Sequence, residues 1–109
     1  MKLVDRGFIT VTPSERFQDW VKNTSEELFL CDSHREASCY LIEEEFWEEE
    51  KLLEKYFKKI CRQEFFPVSQ DSDTWPRIEN IHDFKSYFSI EIGSFVYDLL
   101  SKDIKKEIV

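Results

Sequence analysis

Glycine and cysteine are scarce in this 109-residue chain, and each shortage excludes a class of site. The only glycines are Gly7 and Gly93, so no glycine-rich loop is available to cradle a phosphate group. The cysteines are Cys31, Cys39 and Cys61, an odd number without a C-x-x-C pair, which does not fit the disulfide framework of a small secreted protein. This pattern predicts reduced thiols and a cytoplasmic location.

Long apolar runs and several catalytic signatures are also missing. No stretch approaches the roughly 18 apolar residues of a membrane-spanning helix, so we expect no membrane partner. Residues 1–5 lack the apolar core and cleavage site of a signal peptide. Neither the D-x-D-x-D-G spacing of a calcium loop nor a G-x-S-x-G nucleophile elbow occurs.

Acidic and aromatic residues, by contrast, are plentiful. The 15 Lys and Arg residues against 23 Asp and Glu residues give a net charge of −8, which argues against nucleic acid as a partner. The 41% hydrophobic content, with 16% aromatic residues, is sufficient for a folded core rather than a disordered chain. The length fits a single domain over residues 1–109.

The amino-terminal part predicts a strand that leads into a helix. Residues 6–12 are rich in β-branched and aromatic types and are typical of a strand. Thr12 and Glu15 have the spacing of a capping box, with Pro13 at the first helical position. The apolar face of this helix is predicted to comprise Phe17, Trp20 and Val21.

A second strand is predicted over residues 38–42. It is apolar on both faces, which favours a central position in a sheet. Residues 23–37 form a mixed connection, and it is long enough for a crossover that would make the first two strands parallel neighbours. The strand order itself is not fixed by these patterns.

A long helix is predicted over residues 43–63. Phe46, Leu53, Phe57 and Ile60 fall on one stripe. Six glutamates lie within residues 43–50 and basic residues follow, an arrangement that complements the helix dipole.

The carboxyl-terminal third predicts shorter elements. Asn80 caps a short helix with Asp83 in its first turn. A third strand then includes Ile90, Ile92 and Val96, with a bend or bulge at Gly93. Residues 101–109 are either a short helix or a frayed tail.

These elements together predict an α+β fold. The order is strand, helix, strand, long helix, short helix, strand. A roughly three-stranded sheet cannot bury its apolar face alone, so we expect a two-layer sandwich with the helices on one face.

The chain also resembles a family of small acidic bacterial proteins. The resemblance rests on the R-G-F-I-x-V-x-P opening at residues 6–13, on Trp75-Pro76 and on the segment Ser94-Phe95-Val96-Tyr97-Asp98-Leu99. It implies a single cytosolic bacterial domain and carries no activity, substrate or catalytic residue.

A zinc site is the first candidate chemistry. Cys31-x₂-His34 is followed by Cys39, and Cys61 lies on the long helix. However, Cys39 and Cys61 fall inside predicted regular elements, where isolated cysteines usually fill the core. We therefore expect no metal and no cofactor.

Nucleophilic and di-iron sites have the required residue types but not the required context. Asp32-Ser33-His34 and His82-Asp83 provide a nucleophile and a base only as neighbours in sequence. Glu79-x-x-His82 occurs once, whereas di-iron sites need two copies and two further glutamates. We therefore predict no catalytic residue.

A binding surface is the hypothesis that the sequence favours. Adjacent helical residues point about 100° apart, so Phe46 and Trp47 cannot both face the core. Trp47 either lies exposed among glutamates or folds over the sheet edge or the Trp75 loop. The predicted partner site comprises Glu44, Glu45, Trp47, Glu48 and Glu49.

The partner predicted for this surface is a basic protein. A sharper version of the hypothesis is an acidic mimic of nucleic acid that inhibits a basic protein. The alternative is a small hydrolase or metal-dependent enzyme that uses a glutamate with Arg6 or a histidine, in a cleft between helix and sheet.

Overall fold

The computed structural model describes residues 1–24 and 36–109, which form an α+β fold. The strands in this part of the chain are β1 (Lys2–Val4), β2 (Gly7–Pro13), β3 (Ser38–Ile42), β4 (Phe88–Gly93) and β5 (Val96–Asp98). The helices are α1 (Glu15–Thr24), α2 (Glu49–Phe65) and α3 (Ile81–Tyr87), with a 3-10 turn over Ser72–Thr74. The predicted fold class is confirmed.

The main sheet has the order β3-β2-β4, with both strand pairs antiparallel. Ile9 of β2 pairs with Tyr40 on one side and with Ile92 on the other. Ile9 and Val11 are fully buried in the core beside residues of the three helices. Because strand residues alternate between faces, the helices cover this face of the sheet and leave the other open.

The predicted central position of β3 is wrong, because β3 is an edge strand of the sheet. The parallel arrangement that the connection length allows is not formed, since β3 runs antiparallel to its neighbour β2. Cys39 and Leu41 point to the open face and are exposed, so their apolar character does not report burial on both sides. Cys39 is therefore not a core residue, whereas Cys61 is buried.

A second, two-stranded sheet of β1 and β5 was not predicted. It continues β2 and β4 beyond an irregularity in the strand pairing. Between the pairs Val4↔Val96 and Phe8↔Gly93, residues 5–7 lie opposite residues 94–95, one residue more on the first side. The third strand accordingly ends at Gly93, the position at which the sequence predicts a bend or bulge.

Helix α1 begins later than predicted. Thr12 and Pro13 still pair with β4, so Thr12 does not cap the helix and Pro13 is not its first residue. Ser14 occupies the capping position, since its carbonyl oxygen accepts from the amide of Gln18 at 3.1 Å. The pairing of β2 with β4 over its full length thus overrides the local capping signal. The predicted apolar face is confirmed, with Phe17 and Val21 buried.

Helix α2 also begins later than predicted, at Glu49 instead of Glu43. The chain must first leave the sheet at Ile42 and reach the helical layer, and residues 43–48 make this connection. Most of the glutamate run therefore precedes the helix. The basic residues lie within α2, and so do Leu53, Phe57 and Ile60 of the predicted stripe, which are buried. Phe46, the fourth residue of that stripe, precedes the helix.

Helix α3 confirms its predicted cap. The Asn80 side-chain oxygen accepts from the amide of Asp83 at 2.8 Å. The helix is followed directly by β4, which begins at Phe88.

Residues 99–109 form no helix, so the helical alternative for the tail is wrong. Their apolar side chains are exposed; Leu100 is 57% and Ile104 is 59% accessible. In the described part of the chain, every helix is too short or too polar to cross a bilayer.

Candidate functional site

The glutamate-rich residues 43–50, here called the acidic segment, are attached to α2 through Glu43. One carboxylate oxygen of Glu43 accepts from the Tyr56 hydroxyl at 2.6 Å. The other oxygen accepts from the Lys55 ammonium at 2.8 Å. Glu43, the first residue of the acidic segment, is therefore hydrogen-bonded to residues in the middle of α2.

This contact keeps Glu43 ionised. The hydrogen bonds from Lys55 and then Tyr56 lower the pKa of the Glu43 carboxyl to about 2. The same contact raises the pKa of Lys55 and of Tyr56 above their usual values. Glu43 thus has a structural role, and the remaining glutamates form the outer surface.

Phe46 holds the middle of the acidic segment against the protein. Its ring is partly buried and packs on the core. The backbone of the segment also lies close to β2, because a Cβ atom on Gly7 would come within 2.8 Å of the Glu43 carbonyl oxygen and 3.3 Å of the Phe46 ring. The acidic segment is thus fixed at two points.

Trp47 projects from this fixed segment into solvent. The residue is 96% exposed, and Glu44, Glu45, Glu48 and Glu49 are exposed beside it in sequence. The predicted divergence of Phe46 and Trp47 is confirmed, although both residues precede the helix. The alternative in which Trp47 folds over the sheet edge or the Trp75 loop is wrong.

Two shallow depressions of about 430 and 420 Å³ flank Trp47. Glu45 and Phe46 contribute to both, Glu48 to the first and Glu44 to the second. Four of the five predicted partner-site residues therefore lie on one continuous surface. Glu49 begins α2 next to it, directly after Glu48.

The other tryptophans of the described chain have structural roles. The indole N–H of Trp75 donates to the Ser69 carbonyl at 2.7 Å, and its ring lies 6.0 Å from the Phe65 ring. The indole N–H of Trp20 donates to the Thr74 carbonyl at 2.9 Å. Trp75 thus packs against the core, whereas the indole of Trp47 lies in solvent.

The predicted zinc constellation is only partly within the described residues. Cys31 and His34 lie outside them, as does the Asp32-Ser33-His34 motif. Cys39 is exposed, whereas Cys61 is buried and its thiol pKa is raised to about 12 by that burial. Within residues 1–24 and 36–109, no three His, Cys, Asp or Glu side chains lie close enough to hold a metal ion.

The other predicted catalytic motifs are engaged in local structure. A carboxylate oxygen of Asp83 accepts from the amide of Glu79 at 3.0 Å, and Glu79 forms an ion pair with Arg77 at 2.6 Å. His82 is exposed on α3.

A groove of about 470 Å³ lies between β3 and α2, where the enzyme hypothesis places its cleft. Its described lining includes Tyr40, Tyr56, Lys59 and Arg62 but no side chain of Asp, Glu, His or Cys. The Tyr40 hydroxyl donates to Glu64, and burial raises the pKa of Tyr40 far above its usual value. Arg6 is engaged by Asp5 at 2.8 Å outside this groove.

The structure adds one surface that the sequence analysis missed. Leu3 and Tyr97 face each other across the β1–β5 pair, and both are more than half exposed. Phe95 and Leu99 flank β5 with the same period of two and are exposed as well. We call these four residues the apolar strip. Their alternation in sequence was the available signal.

Comparison of the chain with known protein families, with proteins of curated function and with solved structures finds no match. The contacts, exposure and charge of the chain itself therefore have to indicate its function.

Proposed function

We propose that this protein is an interaction module that binds a basic protein through the acidic segment, with Trp47 as the anchor. The observation that carries the proposal is the 96% exposure of Trp47 on a segment fixed by Glu43 and Phe46. The exposed indole of Trp47 lacks the burial that Trp20 and Trp75 have in the fold. A partner that covers Trp47 would remove this apolar surface from water, and the free energy of that burial would favour binding.

The fixed segment favours tight binding because little conformational freedom is lost when the partner docks. Tryptophan is enriched among residues whose truncation weakens an interface most, since its large ring fills a pocket on the partner. The exposed glutamates attract a basic surface and raise the association rate. Anchor and charge therefore act together on one partner.

The test uses capture from extract of the native host followed by affinity measurements on the captured protein. We expect Trp47→Ala to weaken binding by roughly 30-fold or more, as for a buried aromatic anchor. Glu48→Lys should slow association and reduce the dependence of affinity on salt. Surface plasmon resonance at two salt concentrations provides both readouts.

Two matched variants serve as controls. Phe66→Ala removes another exposed aromatic ring, and Glu54→Lys reverses an exposed charge on α2 outside the acidic segment. Both should leave binding within about twofold of the wild type. Binding that is insensitive to salt and to Trp47→Ala would contradict the proposal, as would the absence of any captured basic protein.

A further inference from the structure

The apolar strip is a group of large uncharged side chains on and directly beside a thin ribbon, with Leu3 and Tyr97 paired within it and Phe95 and Leu99 at its two ends. Leu3 is 65% exposed, Tyr97 55%, Phe95 68% and Leu99 77%. Lys2, Val4, Val96 and Asp98 point to the other face, because they pair with each other and alternate with Leu3 and Tyr97. The strip thus contains no formal charge, although 35% of the chain is charged.

The side chains of Val4 and Val96 on the other face are partly buried, whereas those of the strip are exposed. A two-stranded ribbon gains stability when such an apolar face is covered. The accessible surface of the strip is on the order of 500 Å² per copy, so two copies would bury about 1,000 Å², near the lower limit of a specific interface. In a twofold interface the same surface of each copy meets its counterpart, so a charged surface would face its own charge. The apolar strip has no charge and avoids this repulsion.

We propose that a second copy of this chain covers the apolar strip, in a homodimer with twofold symmetry. The two ribbons stack face to face, with the Leu3–Tyr97 pairs of both copies near the axis. The proposal does not depend on the function assigned to Trp47, since it concerns the purified chain alone.

Electrostatics selects the orientation of the two ribbons. Ser94 lines one of the depressions beside Trp47, so the acidic segment adjoins the Phe95 end of the strip. Beyond the Leu99 end, Lys102 and Lys105 line a depression with Asp98. The acidic residue between them, Asp103, is already paired with Lys2 at 3.4 Å.

A twofold axis parallel to the strands would bring the two acidic segments together, which is repulsive. An axis perpendicular to the strands places the acidic segment of each copy near the lysines of the other. The dimer is therefore antiparallel, with the apolar strip at its centre and a complementary charged contact at each end.

Sedimentation equilibrium between about 5 and 500 µM tests the proposal. Interfaces at this lower limit of size are usually weak and transient, so we expect monomer at the lowest concentration and the dimer mass to dominate at the highest. Leu3→Glu and Phe95→Ser should each weaken the dimer at least tenfold. Circular dichroism checks that both variants remain folded.

Leu41→Glu is the matched control, because Leu41 is also about half exposed (50%) but lies on the open face of the main sheet. It should leave the dimer unchanged. A monomer at every concentration would overturn the proposal, even if another molecule were found on the strip. A dimer equally sensitive to Leu41→Glu would overturn it as well.

Charge reversal tests the orientation. Glu44→Lys with Glu45→Lys should weaken the dimer severalfold, and so should Lys102→Glu with Lys105→Glu. Mixing the two double variants should restore dimerisation in the form of a heterodimer. One of its two charged contacts is then the original contact, and the other is the original contact with both signs reversed. Stronger dimerisation of the acidic-segment variant alone would indicate the parallel arrangement and overturn the antiparallel one.

Discussion

Gly7 and Gly93 mark the closest approaches in the sheet. A Cβ atom at Gly7 would lie 2.8 Å from the Glu43 carbonyl oxygen and 3.0 Å from that of Gly93. A Cβ atom at Gly93 would lie 2.4 Å from the Phe8 ring. Neither glycine has a positive φ, so close contact rather than backbone conformation accounts for both.

We predict that Gly7→Ala is more destabilising than Gly93→Ala. The Phe8 side chain is only partly buried and can rotate away, whereas the backbone oxygens around Gly7 can move only if a strand moves. Gly7→Ala should cost about 2–3 kcal/mol and Gly93→Ala about 1 kcal/mol. Urea unfolding measures both, and the reverse order would contradict the assigned contacts.

The acidic segment shows how an element is displaced from the place that its sequence predicts. Glutamates followed by lysines favour a helix from residue 43 onward. Residues 43–48 instead precede α2, and the Glu43 side chain accepts hydrogen bonds from Lys55 and Tyr56 of that helix. These hydrogen bonds attach the acidic segment to α2, so the ionisation of Glu43 should affect the stability of the fold.

The pH dependence follows from the lowered pKa of Glu43, about 2 against an ordinary value of 4.5. Its contribution to stability is complete above pH 4.5 and is lost as the pH falls toward 2, because the unfolded chain takes up the proton first. Glu43→Gln should therefore be less stable than the wild type at pH 7, and the difference should shrink at pH 3.

The expected difference at pH 7 is below about 1 kcal/mol, since the Glu43 side chain is 36% exposed and solvent screens the pair. Urea unfolding at both pH values provides the measurement. Glu44→Gln, at an exposed neighbour, should change stability by less than about 0.5 kcal/mol. If the stability lost in Glu43→Gln instead increased as the pH fell, the ionised Glu43 carboxylate would not be the stabilising form, and the prediction would be contradicted.

The whole molecule is organised around Phe65, which is 1% exposed. Its ring lies 5.1–6.3 Å from five other aromatic rings, which belong to α1, α3, β4 and the loop after α2. The five partners are Phe17, Trp20, Trp75, Tyr87 and Phe88. A single side chain thus joins most elements of the helical layer to the sheet.

Phe65→Ala should destabilise the protein by about 3–5 kcal/mol, because it removes these ring contacts and leaves a cavity. This is a large part of the 5–15 kcal/mol typical of a domain. Phe66→Ala, at the next position but 51% exposed, should cost less than about 1 kcal/mol. Similar losses for the two variants in urea unfolding would contradict the central role of Phe65.

The ribbon gives the molecule an extended outline. Its radius of gyration is 15.2 Å, against about 13 Å for a compact domain of this length. The extra extent agrees with exposed apolar side chains at the ribbon and the tail.

Local patterns were sufficient wherever an element depends on its own residues. The spacing of Phe17 and Val21 predicted the buried face of α1, and the pair Asn80 and Asp83 predicted the start of α3. The divergence of Phe46 and Trp47 was also predicted, but this pattern left open whether Trp47 lies in solvent or against the protein. In each case the signal lies within four residues of chain.

Contacts between distant residues had no such signal. Leu3 pairs with Tyr97 across 93 intervening positions, and no local pattern connects residues so far apart. The edge position of β3 likewise depends on which strands pair with β2. Only the folded chain therefore brings Leu3 to the alternating side chains around β5.

The sequence by itself determined the α+β class, the helices on one face and the localisation of acidic charge in residues 43–50, because composition and periodicity are local properties. Tertiary structure alone decided that most of this charge precedes α2, that Trp47 stands in solvent and that a second sheet exposes Leu3 and Tyr97. The physical reason is that strand pairing and core packing join residues far apart in the chain and override the weak local preferences of single segments.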